Sequence, residues 1–245
     1  MFMSAKVKIA QALPRAAIGF RPEYLDFKRG IHVGNLEDNQ RITRILKLAI
    51  EDMYQEPFVT ERYGRGVYWQ WIGFLSRANR AAKPVSSNIS FGCSKLFITM
   101  DMGDQLFKCG FSVERGFQIP PPDFPQCELK PDWDWNRLLK QLKKGSSLTR
   151  ELHRLVKREG FSIDLGNWEE RRTFRKSNLP GPDGIRKALK NAVPDSWAGF
   201  QVYYPMTEKE VAGTFGADLI ESMLAVFREV TPAINLCMQK ALVLR

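Results

Sequence analysis

Three chemistries are excluded by what the 245 residues do not contain. No G-x-S-x-G elbow and no Gly-x4-Gly-Lys-Ser/Thr loop occurs, so neither a strained strand-to-helix serine nor a Walker phosphate cradle can be drawn on this chain. Its four cysteines, Cys93, Cys109, Cys127 and Cys237, include no C-x-x-C pair, and only His32 and His153 supply imidazole. Structural zinc needs about four clustered nitrogen or sulfur ligands, so no metal and no cofactor is expected. Scattered thiols in a chain long enough to bury its own core point to a reducing, cytoplasmic setting. No apolar run approaches the ~18 residues of a transmembrane helix. Repeats and low-complexity tracts are also missing. The first 22 residues carry Lys6, Lys8, Arg15 and Arg21 without an acid, but Ile9 to Pro14 is too short for a signal-peptide core.

What remains is an ordinary globular composition, 44% apolar and 26% charged, with a basic excess of +10. That excess is concentrated. Between Arg137 and Lys190 fifteen basic residues face six acidic ones, leaving +9 of the +10 in one stretch. A field of one sign gathered this way attracts polyanions. Equally, long basic side chains solvate the outer faces of helices.

Hydrophobic spacing divides the chain. Ile42, Ile45, Leu46, Ala49, Ile50 and Met53 recur at helical steps within Asn35–Glu56, with Asn35 as the expected cap. Val67 to Ile72 reads as a strand. Lys95–Asp101 and Leu106–Val113 alternate with period two around Met102-Gly103-Asp104, a β-hairpin whose alternation fixes the buried face. Residues 116–132 hold five prolines, a long irregular connection. Two basic helices follow: Asp134–Lys144 ending at Gly145, and a Ser147-capped helix ending at Gly160. Phe161 to Leu165 reads as a short strand, 176–184 as an exposed Pro/Gly loop, and Phe200 to Tyr204 as another strand. Thr207-Glu208-Lys209-Glu210 is a capping box. Thr231-Pro232 fits the start of a last helix. The expected architecture is one α+β domain spanning 1–245: a strand-rich part at about 58–115, the connection 116–132, a basic helical part 133–190, and a strand with helices at 198–243. A mostly antiparallel sheet around the central hairpin packs against helices from both halves.

Candidate chemistry is of three kinds. Basic side chains at Arg77, Arg80, Lys83, Lys143, Lys144, Arg171, Arg172, Arg175 and Lys176 are expected to form one surface for a nucleic acid, a phosphorylated ligand or an acidic protein. Acids near strands, Asp132 with Asp134 beside Lys130, and Asp164 with Glu169 and Glu170, or Glu114, are the alternative: a metal-dependent hydrolase or nuclease holding its ion by carboxylates. A cysteine meeting His32 or His153 would be a nucleophile. Trp133, Trp135 and Trp168 either stack on single strands or anchor a helix. The third reading is a structural component docking another protein through its aromatic surface. Whether the chain is an enzyme stays open.

The order of several segments resembles an uncharacterised bacterial family catalogued as domain of unknown function 2461. The similar pieces are Gly19-Phe20-Arg21-Pro22-Glu23-Tyr24-Leu25-Asp26-Phe27, Phe111 to Arg115 closing the hairpin, the helices from Trp135 leading to Gly160-Phe161-Ser162-Ile163, and Phe200 to Tyr204 with Pro205-Met206-Thr207-Glu208 and a helix ending near Thr231-Pro232. Two stretches depart from the family pattern: Arg77, Arg80, Lys83-Pro84 and Ser86-Ser87 stand where the family has a longer polar motif, and only Asn35 and Asn39 represent its Asn-rich helix start. The resemblance implies an α+β fold and no established activity.

Overall fold

Alternating strands, once paired, put their side chains on two opposite faces, and the two faces of this molecule differ in kind. In a computed structural model, residues 18–83, 92–115, 119–120, 122–123, 125, 128–166, 171–191 and 198–245 are described. Nine strands form one antiparallel sheet: β1 (Leu25–Asp26), β2 (Gly30–His32), β3 (Phe58–Arg65), β4 (Tyr68–Ser76), β5 (Ser94–Asp101), β6 (Leu106–Glu114), β7 (Ser162–Gly166), β8 (Arg171–Phe174) and β9 (Gly199–Thr207). The order is β1-β2-β4-β5-β6-β9-β7-β8, with β3 pairing β4 along its other side. The central hairpin is β5–β6, in register from Ser94↔Val113 to Asp101↔Leu106.

One face is apolar. Ile72, Phe74, Leu96, Ile98, Phe107, Cys109, Phe111, Val113, Phe200, Val202, Ile163 and Leu165 join a single core with the helices. Those helices are α1 (Ile42–Tyr54), α2 (Arg77–Ala81), α3 (Asp134–Gln141), α4 (Ser147–Lys157), α5 (Pro182–Lys190), α6 (Glu208–Ala212) and α7 (Gly216–Asn235). The predicted stripe of α1 is buried as its spacing requires. Phe227 of α7 meets Phe74 edge-on with centroids 6.2 Å apart. Both expectations of an α+β fold and a mostly antiparallel sheet describe what is seen.

Several boundaries move. Asn35 does not cap α1; it sits at φ 55 in the left-handed region, and α1 starts seven residues later. The cap of α4 is Ser146, whose hydroxyl accepts from the Thr149 N–H, so the helix begins at Ser147 rather than after it. The supposed loop 176–184 ends in α5, whose Pro182 occupies the first turn and whose Ile185 and Leu189 are buried one turn apart. Thr231-Pro232 starts nothing. Helix α7 runs through both, and the Thr231 hydroxyl donates to the Phe227 carbonyl at 2.7 Å while Tyr54 donates to it at 2.6 Å. The Thr207 capping box is present in both directions. Strands β3 and β8, too polar to register as strands, are additions to the sequence reading.

Candidate functional site

The second face of the sheet is polar and yet inaccessible. Lys95, Lys108, Ser112, Glu114 and Asp164 are each 9% exposed or less. The hairpin alternation thus does not separate a core face from a solvent face, because both faces of β5 and β6 are buried. A buried charge persists only with close partners, and both lysines have them. Lys95 Nζ lies 2.6 Å from Glu61 and 2.6 Å from Glu114. Lys108 Nζ lies 2.7 Å from Asp101, 2.9 Å from Asp164 and 3.3 Å from Asp104. The Tyr203 ring is 4.5 Å from that ammonium, and its hydroxyl donates to Asp164 at 3.0 Å. Thr173 donates to the same carboxylate at 2.7 Å. Arg171 closes the cluster from the edge strand, bonded to Asp101 and, at 2.7 Å, to Asp104.

Electrostatics follow the geometry. Burial by itself lowers the Lys108 pKa, but Asp164, Tyr203 and Asp101 outweigh it and hold the ammonium above the ordinary lysine range. Lys95 is raised in the same way, burial opposing and Glu114 and Glu61 prevailing. Burial pushes Asp101 up, yet hydrogen bonds from Lys108, the Asp104 N–H and Arg171 bring it well below a usual carboxylate. Burial and Asp164 raise Tyr203. Every charged group in this cluster is matched by a neighbour of opposite charge or by a hydrogen bond, whereas the buried Ser112 hydroxyl has no hydrogen-bond partner among the described residues.

Among the described residues, the acids expected to hold a metal are therefore engaged. Asp164 and Glu114 neutralise lysines. Asp134 opens α3 after Trp133 at the cap position, and its carboxylate lies 3.0 Å from Lys83 Nζ with both side chains fully buried. It also accepts from Ser94 N–H at 2.6 Å, Asn79 Nδ2 at 2.8 Å and Gln239 N–H at 2.9 Å, tying α2, β5, α3 and the C-terminal tail together. Asp132 accepts from the Gln239 side chain, and Lys130 pairs with Glu128. Among the described residues no three His, Cys, Asp or Glu are placed to hold a metal ion. His32 is stacked against Tyr68, and His153 is exposed on α4. Cys93, Cys109 and Cys237 are buried, and burial raises each thiol, Cys93 to about 12. Trp133 and Trp135 are buried anchors. Pro84, Ser86, Ser87, Cys127, Trp168, Glu169 and Glu170, with the basic opening up to Arg15, lie outside the described residues.

The nine candidate cations do not form one surface. Lys83 is buried against Asp134, and Arg171 neutralises Asp101 and Asp104. Arg77 is exposed and Arg80 half-buried on α2, which follows β4. In the sheet order β4 is five strand spacings from β8, about 24 Å at ~4.8 Å per step. Lys143 and Lys144 are exposed at the start of α4, and its eleven residues put about 16 Å between them and its other end. Arg172, Arg175 and Lys176 do share a neighbourhood. The turn after β8 is held by Asn178, which accepts from Arg175 N–H at 2.6 Å and donates to the Thr173 carbonyl at 3.1 Å. Lys157, the last residue of α4, donates to the Lys176 carbonyl. This contact brings Lys157 and Arg158 beside Arg175 and Lys176, where the negative end of the α4 dipole favours cations.

No protein-family model matches the chain, and no curated protein matches it.

Proposed function

We propose that this protein binds a polyanion through the basic end formed by Arg158, Arg172, Arg175 and Lys176, with Lys157 beside them. One observation supports the reading: among the described residues, the acids nearest this region pair with other cations. Asp164 is held by Lys108, Glu151 and Glu159 reach Arg154, and Asp183 pairs with Arg186. Arg158, Arg172, Arg175 and Lys176 have no carboxylate partner among the described residues, and all four are exposed. Uncompensated guanidinium and ammonium groups of this density favour phosphate chains. Nucleic acid is the partner class proposed, ahead of an acidic protein, because among the described residues no large exposed hydrophobic side chain lies between Lys157 and Lys176. The bound acids weigh against the hydrolase reading. Kinship with the 2461 family is likewise proposed, on the segments that resemble it.

The test is fluorescence anisotropy of a labelled oligonucleotide at low salt. Replacing Arg172, Arg175 and Lys176 together by alanine weakens binding at least tenfold, while replacing Lys143 and Lys144 leaves it within threefold. Equal losses from the two variants would sink the localisation, and no binding at all would sink the function.

A further inference from the structure

The opposite edge of the sheet carries a different surface. The sequence Arg62-Tyr63-Gly64-Arg65-Gly66-Val67-Tyr68-Trp69 forms the tip of the β3–β4 ribbon, where the register slips between Tyr63 and Gly64. The slip has a steric cause. Gly64 is at φ +154, and a Cβ there would come within 2.5 Å of the Trp69 Cα. Gly66, at φ +59, completes the turn, and its carbonyl accepts from Trp69 Nε1 at 3.3 Å. The glycines thus fix where Trp69 stands.

The pairs Ile31↔Trp69 and His32↔Tyr68 put Trp69 and Tyr68 on opposite sides of the ribbon. On one side rings follow in series: Tyr24 meets His32 edge-on at 5.8 Å and His32 stacks on Tyr68 at 4.9 Å, with the Arg29 guanidinium 4.5 Å from the Tyr68 centroid. Arg29 is fixed there by Asp26 at 2.6 Å. On the other side the Arg62 guanidinium lies 4.0 Å from the Trp69 ring, and nothing fixes it. Arg62 and Arg65 are exposed and have no carboxylate partner among the described residues, since the adjacent Glu61 is taken by Lys95. Glu23, exposed on the turn before β1, is the remaining acid near the Tyr24 end of the ring series.

We infer that this ribbon tip is a contact for single-stranded nucleic acid, in which a base stacks on Trp69 and the Arg62 and Arg65 side chains take the flanking phosphates. A guanidinium over an indole occupies the position a base would take, and both are planar π-systems. Arg62 swings off the ring to a phosphate when a base arrives, because no carboxylate holds it. Flat aromatic faces interleaved with unpaired cations grip single strands without sequence preference. A carbohydrate or methylammonium ligand would instead call for a free acid at the Trp69 ring edge, and Glu61, next to Arg62, is taken by Lys95. The inference deepens the polyanion proposal and rests on it; it adds that the anion carries exposed bases.

The experiment uses a labelled oligothymidylate of about 12 nucleotides, with inorganic polyphosphate and duplex DNA as competitors. Trp69→Leu weakens oligothymidylate binding about tenfold and leaves polyphosphate binding unchanged, Trp69→Phe restores most of it, and Arg62→Ala/Arg65→Ala weakens both ligands. Should Trp69→Leu fail to fold, the Trp69→Phe and double-arginine variants decide, because Phe keeps an aromatic ring where Trp69 packs against the core and Arg62 and Arg65 are exposed. If these hairpin variants bind oligothymidylate like the parent while the Arg172/Arg175/Lys176 variant does not, the stacking inference is overturned and the polyanion reading stands. Polyphosphate and duplex competing as well as the single strand would also overturn it. Absence of binding to every probe would remove both.

Discussion

Replacing Lys108 by methionine asks whether the buried polar face is structure or chemistry. Methionine matches the length of the lysine stem and removes only the ammonium. The lysine is 1% exposed and serves Asp164, Asp101 and Asp104, whose side chains are 4%, 14% and 29% exposed. After the change Arg171 alone faces three carboxylates, from the edge and at 3.9 Å from Asp164. Removing one partner of a buried ion pair costs about 3–5 kcal/mol. At roughly 2–4 °C per kcal/mol for a chain of this size the melting temperature falls by about 6–20 °C. Urea unfolding followed by circular dichroism measures the loss directly, with an unchanged slope showing that the folded state stays compact. Lys108→Met combined with Asp164→Leu is less destabilised than the two single changes added together, because each single change strands the other's charge. A loss under about 1 kcal/mol would refute the structural reading, since surface pairs alone are worth that little. Recovery of the Lys108→Met melting temperature by magnesium would refute it differently, revealing three carboxylates able to hold an ion.

Asp134→Asn, which breaks the buried pair with Lys83, costs about 3–5 kcal/mol and speeds amide exchange around Gln239 and Lys240; unchanged exchange there would show that the tail is held by other contacts. The depressed Asp101 carboxyl contributes stability above its unfolded value near 3.8 that is lost as pH falls below it. Urea midpoints taken from pH 7 to pH 3 therefore fall less steeply in Asp101→Asn than in the parent, and parallel curves would contradict the assignment. Buried thiols of raised pKa react slowly, so iodoacetamide at pH 8 leaves Cys93, Cys109 and Cys237 unmodified in the native protein and labels them in urea, as peptide mass spectrometry can score.

The parts of this fold legible in the sequence are those where local pattern and tertiary packing agree. The α1 stripe and the Thr207 capping box rest on contacts within one helix or its first turn, and the β5–β6 hairpin on pairing between strands adjacent in the chain. Strands β3 and β8 were hidden because their residues are polar: Glu61 and Arg171 look like solvent-facing charges until strand order sets them against Lys95 and against Asp101. Helix α5 was hidden behind Pro182, a helix-starting residue taken as a loop marker. Lys95 and Lys108 alternate with apolar residues as a solvent face would, and only the partner strands show that they are buried. A cross-strand signal for Lys108 did exist. The register pairs it with Thr99, placing Asp101 on the diagonal, where opposite charges attract. The sequence excess of +9 in 137–190 includes Arg158, Arg172, Arg175 and Lys176, but linear density cannot show that α4 holds Lys143 and Arg175 apart.

The central claim is that a small set of uncompensated cations at the α4–β8 end meets phosphates. The salt dependence of single-strand binding counts such contacts. Four of them, Arg158, Arg172, Arg175 and Lys176, with Arg62 and Arg65 at the ribbon tip, give a slope of about −4 in log affinity against log salt at ~0.7 per phosphate. The Arg172/Arg175/Lys176 variant gives about −2 by the same rule. A parent slope near zero, or one that the triple substitution leaves unchanged, would contradict it.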